Sequence, residues 1–432
     1  MNWIFKNTLR LNKFPIDLAL LELKKIENEF NTKQRAFEIF NHHFEKTRFY
    51  RDFLTKNTVI DDYNWEQIPI IQKKDFQVNL AEIIGTVNQH QLHIHNTSGS
   101  TGTPFYFAKD KFCHAMTWAY TDYRMLEHGI NLGETLQARF YGIPLGGIKY
   151  WKERLKDLLA SRVRYPVFDL SDKTLAKVLL DFKKKPFVYF NGYTSSLVIF
   201  AKYLIRNSIV LNEVCPTLKL CMPTSEVCDD LDRKTLEKGF GVRVVNEYGA
   251  AELDLIALQD RDGDWVINEE TLFVEILNCH NIPVKPGEEG RVIVTALYNK
   301  AMPFIRYELG DTAILSHKSK NGRRVLEKVG GRINDIIHLP SGKVSPGLTF
   351  YYISKKLLEE GGKIKEFIIR QKTLDSFLIE YTAESDISID EVRGCKKAMD
   401  LYLEPNLKLE FLKVDQIERS KSGKLKHFFS EI

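Results

Sequence analysis

Apolar residues recur at helical spacing through the first ninety positions. Ile16-Asp17-Leu18-Ala19-Leu20-Leu21-Glu22-Leu23 and Ala36-Phe37-Glu38-Ile39-Phe40 set apolar side chains three and four residues apart, so each forms a helix with one apolar face. Trp65 begins a turn towards Ile68-Pro69-Ile70. The period then changes. Gln91-Leu92-His93-Ile94-His95 and Phe105-Tyr106-Phe107-Ala108 alternate as strands do. Lys111 to His128 reads as a helix, with Asp110 as its N-cap and Gly129 as its stop. Phe187-Val188-Tyr189-Phe190 is a short buried strand, and Ser196 to Ile205 is the helix after it. Thr217 to Met222 and Val242 to Asn246 are further strands, separated by a helix from Asp230 to Lys238. This alternation predicts α/β layers.

Between Trp265 and Leu315 the texture is β. Leu272 to Leu277 and Gly290 to Thr295 are strands joined by the charged turn Pro286-Gly287-Glu288-Glu289-Gly290. Gly330-Gly331 reads as a hinge. After it the sequence predicts a compact α+β segment. Its strands are Asp335–Leu339, Ile364–Gln371, Ser376–Thr382 and Leu407–Val414, and its helices Leu348–Glu359 and Ile389–Tyr402. The expected organisation is a large domain over 1–331, with mixed sheets and helices in several layers, and a small α+β domain over 332–432.

Composition narrows the class. A chain of 432 residues exceeds what one ordinary core organises, which agrees with two domains. Hydrophobic content of 44% and charged content of 28% are those of a soluble globular protein. No apolar run has transmembrane length. Met1-Asn2-Trp3-Ile4-Phe5-Lys6 has neither a long apolar stretch nor a small-residue cleavage site, so no secretory signal is read there. A net charge of +5 is mild; it does not call for nucleic acid, but it suits anionic nucleotides. The six cysteines form no Cys-x-x-Cys pair and no cysteine–histidine zinc spacing. Cys215, Cys221 and Cys228 read as core filler around a strand, and the expectation is a cytoplasmic protein with reduced thiols.

Four segments carry candidate chemistry. The loop His95-Asn96-Thr97-Ser98-Gly99-Ser100-Thr101-Gly102-Thr103-Pro104 joins two strands and holds hydroxyls and glycines. Close backbone N–H groups and short rotating hydroxyls suit a polyphosphate. A P-loop NTPase would end such a loop in Gly-Lys-Ser/Thr and follow it with a helix, and neither occurs. The second segment is Asn246-Glu247-Tyr248-Gly249-Ala250-Ala251-Glu252, directly after a strand. It can set a ring against a purine and a carboxylate on Mg²⁺. In the third, Pro303-Phe304-Ile305-Arg306-Tyr307-Glu308-Leu309-Gly310-Asp311, an aspartate held behind a glycine at a strand end can accept two hydrogen bonds from a ribose diol. In the fourth, Ile417-Glu418-Arg419-Ser420-Lys421-Ser422-Gly423-Lys424, a tail turn can swing one ammonium into a distant site. Read one at a time, the first two segments are as readily a surface hairpin and a strand-to-helix turn, the third is a common Gly-Asp turn, and the fourth reads first as a solvated basic tail.

In order, the four resemble the signatures of the adenylate-forming ligase superfamily, which includes acyl-CoA synthetases, luciferase and nonribosomal adenylation domains. The loop resembles Thr-Ser-Gly-Ser/Thr-Thr-Gly-x-Pro, Tyr248 to Glu252 resembles Tyr-Gly-x-Thr/Ser-Glu, and Tyr307 to Asp311 resembles Tyr-x-x-Gly-Asp. Gly331-Arg332-Ile333-Asn334-Asp335 is similar to the Gly-Arg-x-Asp-Asp hinge, and Arg419 to Lys424 to the Arg-Thr-x-Ser-Gly-Lys tail. The resemblance runs from about residue 50 to the end. Within the superfamily the chain is most similar to phenylacetate–CoA ligase and its capsule-biosynthesis relatives, through Thr47-Arg48-Phe49-Tyr50-Arg51, Asn191-Gly192-Tyr193-Thr194-Ser195-Ser196-Leu197 and Ala301-Met302-Pro303-Phe304-Ile305-Arg306-Tyr307. It departs at Ala251, where the family has Thr or Ser, at Asn334 for the first hinge acid, and at Glu418 for the tail proline.

The resemblance implies ATP-dependent activation of a small carboxylic acid to acyl-AMP with release of pyrophosphate. Transfer to a thiol follows, CoA foremost, with a carrier protein or an amine or hydroxyl of a polysaccharide precursor as alternatives. A nucleotide-binding homologue without turnover is the alternative of another class. The implied catalytic residues are Lys424 and Glu252, the latter holding Mg²⁺. The implied nucleotide contacts are Thr97, Ser98, Gly99, Ser100, Thr101, Gly102, Tyr248, Gly249, Asp311 and Arg332. Tyr141, Gly142 and Tyr193 are candidates for the acyl pocket. The small domain is expected to be mobile, and a homodimer is compatible.

Overall fold

The computed structural model describes residues 1, 3–26, 31–57, 64–85, 92–96, 105–141, 147–165, 167–226, 228–330, 336–346, 349–350, 353, 364–383, 385–415, 417 and 428–432. They fall into two compact units. The first comprises the described residues of 1–96, 105–134 and 245–330; the second comprises those of 135–244 and 336–432. Helices, parallel strands and antiparallel strands all occur, so the fold class is the α/β mixture that the pattern predicts.

The first unit is built on one large sheet. Its strands run in the order Leu272–Leu277, Glu289–Ala296, Tyr307–Lys320, Arg323–Gly330, Trp265–Ile267, Asp254–Gln259, Glu247–Ala250, all antiparallel neighbours. The short strand Ile71–Gln72 adds to Tyr307–Glu308 in parallel. Apolar residues of these strands pack with Phe76, Phe105, Phe107 and Phe304 into one core. Two of the strands escape a reading by alternation. Asp254–Gln259 runs Asp-Leu-Ile-Ala-Leu-Gln with both faces covered from Ile256 onward, so no polar face marks it. Arg323–Gly330 opens on two arginines, yet Arg323 is buried against Glu270 and Arg324 is neutralised by Glu269.

The hairpin of Leu92–Asn96 with Tyr106–Asp110 also lies in this unit, antiparallel, with Asn96 opposite Tyr106. The glycine-rich segment 97–104 joins these strands and lies outside the described residues. The helix after the hairpin spans Lys111–Glu127, and the Asp110 carboxylate accepts from the N–H groups of Phe112 and Cys113 as its N-cap.

The second unit holds a five-stranded parallel sheet in the order Arg162–Tyr165, Gln137–Phe140, Tyr189–Tyr193, Leu220–Thr224, Arg243–Val244. Helices Asp172–Lys184, Thr194–Arg206 and Asp230–Phe240 supply its core, with Cys215 and Cys221 buried in it and Cys228 packed at its edge. The last segment has a core of its own around a four-stranded sheet. Lys408–Lys413, Ser376–Ala383, Ile364–Thr373 and Phe428–Ser430 lie side by side, backed by the helix Ile389–Tyr402. All six cysteines are free. Among the described residues no helix is long and apolar enough to cross a membrane.

Candidate active site

Glu252 sits in the turn of a hairpin. Glu247–Ala250 pairs antiparallel with Asp254–Gln259, and the Leu253 amide donates to the Ala250 carbonyl to close the turn. The strand-to-helix turn weighed from the sequence is therefore a strand-to-strand turn. Gly249 is needed there: a Cβ would overlap the carbonyl oxygen of Asp254 across the hairpin. Glu252 itself is buried, and the Tyr307 hydroxyl donates to its Oε1 at 2.9 Å. No other described residue hydrogen-bonds to Glu252, so Oε2 keeps its lone pairs for a ligand. A carboxylate with one oxygen held and the other open fits a hard cation such as Mg²⁺, whose remaining ligands are commonly phosphate oxygens and water.

Asp311 is placed differently from the sequence expectation. It does not end a strand; it lies inside the long strand Tyr307–Lys320. Ile293 pairs with Glu308 and Arg291 with Thr312, so Leu309, Gly310 and Asp311 stand opposite Val292 alone. The extra residues form a bulge, and Gly310 takes the left-handed φ of 79° that the bulge needs. The bulge re-aims Asp311, and the Tyr248 hydroxyl donates to its Oδ2 at 3.2 Å. The structure thus brings Tyr248, Glu252 and Asp311 together in one sheet through two tyrosine–carboxylate hydrogen bonds, each joining segments more than fifty residues apart.

Two features of this site are not found by reading motifs alone. One is the use of Tyr307, which the sequence offers only as the first letter of Tyr-x-x-Gly-Asp. The other is the support beneath the Glu252 turn. Lys109 is buried, its ammonium pairs with Asp254, and it also donates to the Ala251 carbonyl at 3.3 Å. Its charge suggests solvent although it shares the inward face of Phe105 and Phe107, and that hides it. Neighbouring Arg306 is fully buried with a φ of 47°. Its guanidinium donates to the carbonyls of Trp65, Glu66 and Ile68 and pairs with Glu275 at 3.2 Å. This clamp sets the approach of the strand that begins at Tyr307.

In the second unit Tyr141 and Tyr193 meet with ring centroids 5.1 Å apart, and the Arg139 guanidinium lies 4.5 Å from the Tyr141 ring centroid. Asn191 donates to the Tyr141 hydroxyl at 3.4 Å. Thr97, Ser98, Gly99, Ser100, Thr101, Gly102, Gly142, Arg332 and Lys424 lie outside the described residues.

No protein-family model matches the chain. It is 24% identical over 429 residues to protein CapK of Staphylococcus aureus, covering 95% of this chain and 91% of that one. It is 25% identical over 352 residues to phenylacetate–coenzyme A ligase of Escherichia coli K12, covering 77% and 76%. The ligase of the same name from Aromatoleum evansii is 25% identical over 341 residues. Among solved structures, 2-hydroxyisobutyryl-CoA ligase in complex with 2-HIB-AMP and CoA aligns with a TM-score of 0.58 at 17% identity, covering 92% of this chain and 88% of that one. The same ligase in its postadenylation state aligns at 0.57 and 16% identity, covering 93% and 89%. At such identities the structural likeness is one of fold. The chain is a homologue of phenylacetate–CoA ligase and CapK with the fold of the adenylate-forming acyl-CoA ligases.

Proposed function

We propose that the chain is an AMP-forming acid–thiol ligase. A carboxylate oxygen of the substrate attacks the α-phosphorus of ATP, pyrophosphate leaves, and acyl-AMP forms. The sulfur of CoA then attacks the acyl carbon, and AMP leaves. The observation that carries this reading is the pair of tyrosine–carboxylate hydrogen bonds, which draws two distant motifs into one cluster. A nucleotide-binding fold without turnover has no need of a buried glutamate with one open oxygen.

The central difficulty is to bring a carboxylate onto a polyanion. Mg²⁺ held by the open oxygen of Glu252 would neutralise phosphate charge. Asp311, whose Oδ2 also accepts from Tyr248, accepts from the ribose hydroxyls. Tyr248 borders the adenine. The hydroxyls and amides of 97–102 surround the phosphates, Arg332 lies near the ribose, and Lys424 supplies a cation where the new P–O bond forms. Tyr141 and Tyr193 border the acyl group. CoA is preferred as acceptor because relatives over most of the chain carry that thiol in their names. Six cysteines outside any disulfide suit a reducing cytoplasm.

The test is exchange of pyrophosphate into ATP across a panel of aryl, short-chain, hydroxy and amino acids. Exchange that needs both an acid and Mg²⁺ is the expected result. Failure of every acid of the panel to support exchange transfers support to the non-catalytic homologue, and release of ADP instead of AMP overturns the adenylation reading.

A further inference from the structure

Asp254, two residues after Glu252, has a backbone φ of +60°. This left-handed region suits glycine; aspartate tolerates it better than most residues but still at a cost. Two groups hold Asp254 there. The ammonium of Lys109 pairs with its Oδ2, and the Thr117 hydroxyl donates to the same oxygen at 2.6 Å.

Lys109 reaches both sides of Glu252. It donates to the carbonyl of Ala251, the residue before, and pairs with Asp254, the second residue after. Its side chain is only 3% exposed, with the ammonium 5.5 Å from the Phe107 ring centroid. A charge in such a place carries a desolvation cost that an apolar side chain would avoid. Lys109 also belongs to Tyr106–Asp110, the strand that leaves the glycine-rich segment. One buried ammonium therefore ties that strand to the turn presenting Glu252.

We propose that Lys109 and Asp254 are positioning residues that fix the turn Ala251–Asp254, so that Glu252 meets its metal with the strand from the glycine-rich segment in register. This rests on the reading of Glu252 as the metal-holding acid.

The experiment compares wild type with Lys109→Met, Lys109→Arg and the double variant Lys109→Met with Asp254→Gly. It reads the Mg²⁺ concentration for half-maximal exchange, and the shift in Tm caused by ATP with Mg²⁺ against ATP with chelator, no acid present. Lys109→Met is expected to raise the Mg²⁺ requirement by about 10-fold or more, the usual scale for groups that orient a metal ligand. It should also remove the Mg²⁺-dependent part of the Tm shift. Lys109→Arg, which keeps the charge, should stay close to wild type. The double variant removes both charges and gives φ +60° to a glycine. It should regain thermal stability while keeping the raised Mg²⁺ requirement, and it decides the question if Lys109→Met is too unstable to assay. A folded Lys109→Met or double variant with the wild-type Mg²⁺ requirement overturns the proposal and leaves the pair a stabilising contact only. A wild-type protein with no Mg²⁺-dependent response to ATP instead overturns the ligase reading itself.

Discussion

The Tyr307 hydroxyl and the Glu252 carboxylate are both buried, and the hydroxyl donates to Oε1 at 2.9 Å. The ring of Tyr307 has little freedom to leave. Its backbone pairs with Ile71, and its ring meets Phe304 at 5.1 Å edge-on and Phe76 at 6.0 Å. A rigid donor on one oxygen fixes the rotation of the carboxylate and decides which oxygen a cation meets.

Removing that hydroxyl tests the relationship. Tyr307→Phe keeps the ring in its apolar setting and should cost only about 1 kcal/mol of stability, the usual worth of one hydrogen bond. Its effect on the metal should be larger: a Mg²⁺ requirement raised by about 10-fold or more, as for other groups that orient a ligand. Mg²⁺ titrations of pyrophosphate exchange, beside urea unfolding of both proteins, separate the two effects. A stability loss with an unchanged Mg²⁺ titration would assign the hydrogen bond to packing alone.

Ala251 offers a gain-of-contact test. It is exposed, and its carbonyl is the group that Lys109 holds. Ala251→Ser adds a hydroxyl without crowding a core, next to the acid that would face phosphate. The adenylation rate should stay level or rise, with no change in Tm. A severe loss of rate would mean that this position meets an apolar surface in the working enzyme.

Acid should weaken the fold through His43. The imidazole is fully buried, with Nε2 2.8 Å from the Asn299 carbonyl and Nδ1 2.7 Å from the Thr47 hydroxyl. The carbonyl requires the proton on Nε2, so Nδ1 accepts from Thr47. Burial pushes the pKa of this histidine down to about 3. Above the ordinary value near 6.5 neither folded nor unfolded chain protonates it, and its contribution is fully present. Below that value the unfolded chain binds a proton that the folded chain refuses, and stability falls by up to about 1.4 kcal/mol per pH unit until about pH 3. His114, also lowered to about 3 by burial, adds loss of the same sign. Urea midpoints between pH 7 and 4.5 should therefore fall less steeply in His43→Gln than in wild type, whatever its starting stability. Parallel slopes would remove His43 from the account.

Much of this architecture was legible because the responsible physics is local. Leu272–Leu277 and Ile389–Tyr402 have the limits that their apolar spacing predicts, and Asp110 caps the helix that it precedes in sequence. What was not legible depends on partners far along the chain. The bulge that carries Asp311 follows from how Tyr307–Lys320 registers against Glu289–Ala296, which no window around Gly310 contains. Arg323 looks like a surface residue until Glu270, more than fifty residues away, neutralises it. Lys109 is the same case at the site: alternation sets it on the face of Phe105 and Phe107, its charge says solvent, and Asp254 with the Ala251 carbonyl explains its burial. The motifs named the acids, while the residues that aim them came from tertiary pairing.

The tail and the acceptor can be tested together. Lys424 ends a Ser-Gly-Lys sequence that resembles the tail signature of the adenylate-forming ligases, and the proposed function has it supply a cation to the first half-reaction. Lys424→Ala should cut acyl-AMP formation by about 10²–10³, the scale for one preorganised charged contact, while ATP binding stays nearly intact. If the small domain re-orients between half-reactions, the second step has no need of that ammonium. Acyl-AMP supplied ready-made should then be consumed by CoA at similar rates in wild type and Lys424→Ala. The measurement follows decay of the adenylate with and without saturating CoA in both proteins. Wild-type adenylation by the variant would make the tail a solvated segment. Decay indifferent to CoA but accelerated by a carrier-protein thiol or an amino sugar would reassign the acceptor and leave the adenylation half standing.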